Sequence, residues 1–150
     1  MTTTPTLYTI GYERLMPLEL AAELRHAGVQ RVIDVRFRPQ SRRAGMSKTR
    51  LGELLRDHGI LYEHRRELGT PPHIRPLFHR GDPAEARAAY RAHVDAESPD
   101  ALDRLAGELA NPATPATALL CLEAEPAGCH RRVIAEAVAE RLPGLAVVDL

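Results

Sequence analysis

The residues best suited to chemistry crowd into one run, Cys121-Leu-Glu123-Ala-Glu-Pro126-Ala-Gly-Cys129-His130-Arg131. Both cysteines of the chain lie in it, eight positions apart. Cys129 is expected at a helix N-terminus, where the dipole and free N–H groups favour a thiolate. His130 could act as its base and Arg131 as a cation for an anionic substrate. Glu123 follows Cys121 by two positions, so on a strand both point the same way and Glu123 could serve as a general acid or base. Three chemistries suit this run. The first is nucleophilic attack by Cys129. The second is metal binding by Cys121, Cys129 and His130, which lacks C-x-x-C spacing and needs a fourth ligand; no metal is assigned on this basis. The third is a reversible Cys121–Cys129 disulfide.

A second run is Asp34-Val-Arg36-Phe-Arg38-Pro-Gln-Ser41-Arg42-Arg43. An acid closing an apolar stretch is followed by four arginines. Their planar forks suit phosphate and carboxylate. Asp34 is expected to orient one of them, and is counted with Cys129, His130 and Glu123 among the expected catalytic residues. Arg36, Arg38, Ser41 and Arg131 are the expected anion ligands. Lys48, near the start of the next helix, would add charge where anions bind helix N-termini.

The charge balance supports this placement. The chain carries 20 basic and 20 acidic side chains, and Lys48 is the one lysine. Yet residues 31–80 hold 12 basic against 5 acidic groups. Overall neutrality excludes a globally basic nucleic-acid binder, while the clustering predicts one anion-facing region.

The elements that must hold these runs follow from periodicity. Short strands are predicted at 6–11, 29–35, 60–64, 116–122 and 145–149, and helices at 17–27, 47–58, 83–96, 99–110 and 129–142. Ser47 is a predicted N-cap. The proline-rich stretch 65–83 reads as a loop. This order predicts a single α/β domain over residues 1–150, with 1–5 as a tail. Its architecture is three-layered and Rossmann-like: a mostly parallel sheet of about five strands with helices on both faces. In such sheets ligands bind beyond the strand C-terminal ends, where both runs fall. No apolar stretch approaches the ~20 residues of a membrane span. Met1–Thr6 lacks a basic, apolar leader, so a cytoplasmic location is expected.

Four stretches carry a resemblance. They are Thr9-Ile-Gly11, Asp34-Val-Arg36 with Pro39 and Ser41, Gly59-Ile-Leu-Tyr62 before Leu68-Gly69, and the Cys–Glu–Pro–Cys–His–Arg run. Together they resemble the prokaryotic domain of unknown function 488 family, over about residues 7–140. The resemblance implies a small α/β domain and no established activity, cofactor or substrate. Relatives commonly carry His and Ser after Thr-Ile-Gly, where this chain has Tyr12 and Glu13. Tyr12 thus stands in the place of a family histidine. Ile33-Asp-Val-Arg36 also looks like a rhodanese strand, but a rhodanese anion loop needs Cys and Arg about five positions apart. Here Arg131 follows Cys121 by ten and Cys129 by two.

The expected function is action on a phosphate-containing ligand, a nucleotide or nucleic acid, with the cofactor unnamed. The alternatives are a non-catalytic nucleic-acid-binding module and a thiol-based redox or metal-binding domain.

Overall fold

The computed structural model describes residues 4–150. Five strands form one parallel sheet: β1 (Thr6–Gly11), β2 (Arg31–Asp34), β3 (Leu61–His64), β4 (Thr117–Cys121) and β5 (Ala146–Asp149). The spatial order is β3-β2-β4-β1-β5. Thus β4 lies between β2 and β1, whereas the dinucleotide-binding order places β2 beside β1.

Two helices, α1 (Pro17–His26) and α2 (Lys48–Asp57), cover one face. Their Leu20, Leu24, Leu51 and Leu55 meet Val32, Ala118 and Leu120 of the sheet. On the other face lie α4 (Pro83–Glu97), α5 (Pro99–Ala110) and α6 (His130–Arg141). Tyr90, Leu102, Leu105, Val133 and Ile134 pack there on Leu7, Ile33 and Leu119. The central strands β2 and β4 are buried at every position, because helices cover both their faces. That is why neither strand shows polar alternation.

The chain leaving β2 turns toward the α1–α2 face, and the chain leaving β4 toward the α6 face. Neighbouring exits that diverge in this way open a crevice at the strand ends. Among the described residues, no helix is long and apolar enough to cross a membrane.

Three local expectations are corrected. The stretch 65–83 is not all loop. It holds a 3₁₀ turn at Arg66–Leu68 and a short helix, α3 (Arg75–Arg80). Ile74, Leu77 and Phe78 of this region pack on the core at helical spacing. Ser47 occupies the N-cap position of α2, but its hydroxyl makes no cap bond; it accepts from the Ser41 N–H instead, at 3.0 Å. Of the expected tail, residues 1–3 lie outside the described residues, and the Pro5 carbonyl accepts from Ala146 N–H at 2.9 Å.

An ion network ties α5 to the sheet. Arg65, 1% exposed, donates to both oxygens of Glu108 at 2.6 and 2.7 Å and to Glu63. Arg31 donates to Glu108 at 3.0 Å. Burial would raise the Glu108 pKa, but the bonds from Arg65 and Arg31 hold it down to about 2. A folded pKa below the unfolded ~4.3 gives stability that is complete above that value. It is lost as pH falls through the folded pKa. Glu108→Gln is expected to cost about 1–2 kcal/mol at pH 7, allowing for solvent screening of a partly exposed carboxylate. The deficit should shrink between pH 5 and 2. Urea denaturation across that range measures it, and a deficit constant with pH would show that the carboxylate charge does not matter.

Candidate functional site

A cleft of about 510 Å³ opens at the C-terminal ends of β2 and β4. Arg36, Arg38, Ser41, Arg42 and Arg43 line it from the β2 exit, and Cys121, Glu123, Cys129 and His130 from the β4 exit. Arg75, Phe78 and His79 close the third side from α3, and Thr70 adds a hydroxyl. The two runs singled out in the sequence therefore share one cavity.

Asp34 organises the β2 exit from below. It is fully buried and does not line the cleft. Its carboxylate accepts from the Arg36 backbone N–H at 3.1 Å, from Arg36 Nε at 2.9 Å and Nη2 at 2.8 Å, and from the Tyr62 hydroxyl at 2.5 Å. A catalytic role for Asp34 is thereby corrected: every lone-pair direction is occupied, and the residue positions Arg36. Burial and the neighbouring Asp34 charge both push the Tyr62 pKa up, so its hydroxyl stays a donor. Arg36 spends its remaining Nη1 on the Met46 carbonyl at 2.7 Å and the Tyr12 hydroxyl at 3.3 Å. It keeps only an edge toward the cavity.

Tyr12 lies beneath Arg36 and Arg43, its ring centre 5.3 and 5.8 Å from their guanidinium carbons. It acts as a platform for cations. Arg43 is tied to the carbonyls of Tyr12, Glu13 and Leu15. By contrast, Arg38, Arg42 and Arg75 have no acidic partner among the described residues, and all three are exposed to the cleft. Ser41 Oγ accepts from the Arg43 N–H at 3.1 Å and retains its own proton for a ligand.

Lys48 does not join this set. It lines a separate recess with Thr49, Glu53, Arg56, Tyr62 and His64, because α2 runs along the opposite face from α6. Its assignment as an anion ligand of the cleft is corrected. Arg131 is corrected too. It is fully buried and absent from the cleft wall. Its Nε donates to Thr9 Oγ1 at 3.2 Å, and its two Nη groups reach the carbonyls of Glu123 and Ala124. The guanidinium thus clamps the chain leaving β4. It also lies 3.1 Å from Cys121 Sγ.

Cys121 ends β4 and Cys129 caps α6, and the turn at Pro126–Gly128 brings their sulfurs into a disulfide. The two sulfurs are in contact, as the disulfide reading of the spacing requires, with the cysteine Cα atoms 7.4 Å apart. A nucleophilic Cys129 therefore exists only after reduction. The Arg131 backbone N–H points at Cys129 Sγ from 3.5 Å, as an N-cap acceptor requires. His130 is buried beneath Tyr90, ring centres 5.2 Å apart. Burial drives its pKa down to about 4, against the pull of the Val35 carbonyl bond, so it is neutral near pH 7. That carbonyl accepts only, so the 2.7 Å contact assigns the proton to Nε2. Nδ1 is left as an acceptor 3.6 Å from Cys129 Sγ. Glu123 Oε2 lies 3.6 Å from Cys121 Sγ. The Cys121, Glu123 and Cys129 ligand atoms all fall within 4.8 Å of one another. They form the one such group among the described residues. His130 is not part of it, since its ring is held on Val35.

Residues 18–138 match the family described as "Domain of unknown function DUF488". The chain belongs to the DUF488 family. No curated protein and no solved structure matches it. The cleft of this DUF488 domain is built almost wholly within the matched span. Arg75 and His79 were not foreseen as site residues, because they sit on α3 inside the stretch read as loop. The spacing of Ile74, Leu77 and Phe78 was the available signal.

Proposed function

We propose that the cleft binds a phosphate-bearing ligand, a nucleotide or the end of a nucleic acid, and acts on it with the thiol pair at its floor. The observation carrying this reading is the set of three arginines without an acidic partner among the described residues, Arg38, Arg42 and Arg75, converging on one cavity in which Glu123 is the lone carboxylate among those residues. Thr70 supports it. Its Oγ1 is buried without a partner among the described residues, at the border between the main cleft and a second lobe of about 360 Å³. An unsatisfied hydroxyl is costly unless a ligand completes it. The second lobe combines Phe37, Pro72 and Pro76 with Arg38, Arg75 and Arg80, a mixture suited to stacking a base beside a phosphate.

In this reading Arg38, Arg42 and Arg75 hold the phosphate, with Ser41 donating. After reduction Cys129 is the nucleophile and His130 Nδ1 its proton acceptor, while Glu123 serves the leaving or attacking group. A cytoplasmic location accords with that reduced state. The nucleic-acid-binding alternative uses the same cations without the thiols.

Fluorescence anisotropy with a labelled nucleotide and a labelled oligonucleotide tests the proposal. Arg38→Ala and Arg42→Ala are each expected to weaken binding about tenfold or more, since a hydrogen bond to a charged group is worth ~1.5–3 kcal/mol. Affinity should fall steeply with salt. Unchanged affinity in the double variant would sink the proposal. Cys129→Ser separates the two readings: turnover is lost and binding kept if the thiol is catalytic.

A further inference from the structure

The floor of the cleft holds a buried cation with no ion pair. Arg131 is fully buried, and its direct partners are two backbone carbonyls, the Thr9 hydroxyl and Cys121 Sγ. No carboxylate lies within ion-pair distance among the described residues. An unpaired buried charge is expensive. A thiolate on Cys121 would supply the missing counter-charge at 3.1 Å. With Cys121 in a disulfide that charge is absent, so the surroundings are built for the reduced sulfur.

The same holds on the other side of the pair. The α6 N-terminus directs the Arg131 N–H at Cys129 Sγ, which favours a thiolate there. Two thiolates facing one another repel unless something positive lies between them. Glu123 brings a third negative group to the same point.

We infer that, once reduced, Cys121, Cys129 and Glu123 form a site for a thiophilic divalent cation of the zinc class, open toward the cleft; while the ion is bound, Cys129 and Glu123 are its ligands and not nucleophile and acid–base, so the site goes beyond the thiol chemistry proposed above. Two sulfurs each ~2.3 Å from a common ion fit within the 4.8 Å that contains all three ligand atoms. The cysteine Cα atoms are 7.4 Å apart, wider than the ~4.4–6.8 Å of ordinary disulfides. The sulfurs can therefore part around an ion with the backbone in place. Two thiolates and a carboxylate exceed a divalent cation by one negative charge, which Arg131 offsets. Soft thiolate ligands exclude magnesium and calcium. All three ligands line the cavity, so the fourth position faces the space where a phosphate oxygen or water would sit. Three protein ligands and one open position is the pattern of catalytic rather than structural zinc.

The disulfide and the metal exclude each other. An external dithiol passes two electrons and two protons to the Cys121–Cys129 bond and is itself oxidised to a disulfide. The two thiols formed then lose their protons as the cation binds.

The test uses the full chain, reduced with excess dithiothreitol, desalted without oxygen and titrated with Co²⁺. One equivalent should bind and produce the near-ultraviolet absorption of thiolate-to-cobalt charge transfer, which Zn²⁺ then displaces. Cys121→Ser and Cys129→Ser should lose that absorption. Glu123→Gln, on a half-buried side chain whose loss spares the core, should weaken binding at least about tenfold, since even outer partners of metal ligands are worth ~10–100-fold. Absence of the charge-transfer band in the reduced wild type overturns the inference. So does equal affinity in Glu123→Gln, or equal binding by the oxidised chain. Phosphate-probe binding repeated with chelator is a separate readout. It stays intact if only the metal site is wrong, and is weakened about tenfold or more in Arg38→Ala whether or not cobalt binds.

Discussion

Arg131→Met is expected to lower stability by about 2–4 kcal/mol, the cost of leaving two buried carbonyl acceptors without their donor. Methionine fills much of the volume but donates nothing. The carbonyls of Glu123 and Ala124 would lose the guanidinium that holds them, and each buried acceptor left unsatisfied costs roughly 1–3 kcal/mol. Thr9 would keep its bond to Asp149 and lose only the one from Arg131. Arg131→Lys should fall between the two, because one ammonium cannot replace a fork that reaches in three directions. Urea denaturation reads the effect. A variant as stable as the wild type that nonetheless lost phosphate binding would return Arg131 to the role of anion ligand, against the geometry.

That contrast shows where sequence reasoning ends. Arg131 and Arg38 are both arginines beyond a strand end, and nothing in spacing separates them. One faces inward because Gly11 lets the chain leaving β4 fold over it; the other faces the cleft because Asp34 has already taken Arg36. These are third-dimensional facts. The strands and long helices were legible because β2 and β4 are buried on both faces and α1 and α5 show clear apolar stripes. The convergence of the Asp34 and Cys121 runs was legible from the strand-end rule. The same rule misplaces Lys48, because it names an end of the sheet and not a face. Helix α3 is hard to see in the sequence because four prolines in the stretch 65–83 outweigh a single helical turn of apolar spacing. The disulfide is one of three chemistries the spacing allows, and the turn at Pro126–Gly128 is what brings the two sulfurs together.

Gly11→Ala should be the most damaging single methyl addition in the site. A Cβ built there would lie 1.7 Å from the Glu123 carbonyl oxygen and 2.4 Å from its carbon, both backbone atoms. The close approach has a purpose. Just beyond it, Tyr12 N–H donates to the Cys121 carbonyl at 3.1 Å and Glu13 N–H to the Leu122 carbonyl at 2.8 Å, continuing the β1–β4 ladder into the site. An added methyl must push the Glu123 carbonyl away, out of the Arg131 clamp, and carry the Glu123 side chain with it. Overpacking of this kind costs about 1–3 kcal/mol; with the clamp loosened as well, a loss of about 3 kcal/mol or more is expected. Gly107→Ala is the control. It lies within α5, nothing comes within 4 Å of its built Cβ, and helix propensity predicts a gain of about 0.5–1 kcal/mol. Thermal and urea denaturation of the pair should therefore move in opposite directions. If Gly11→Ala stays within 0.5 kcal/mol of the wild type, the chain leaving β4 does not rest on β1, and the clamp, the disulfide and the cleft floor would all have to be rebuilt.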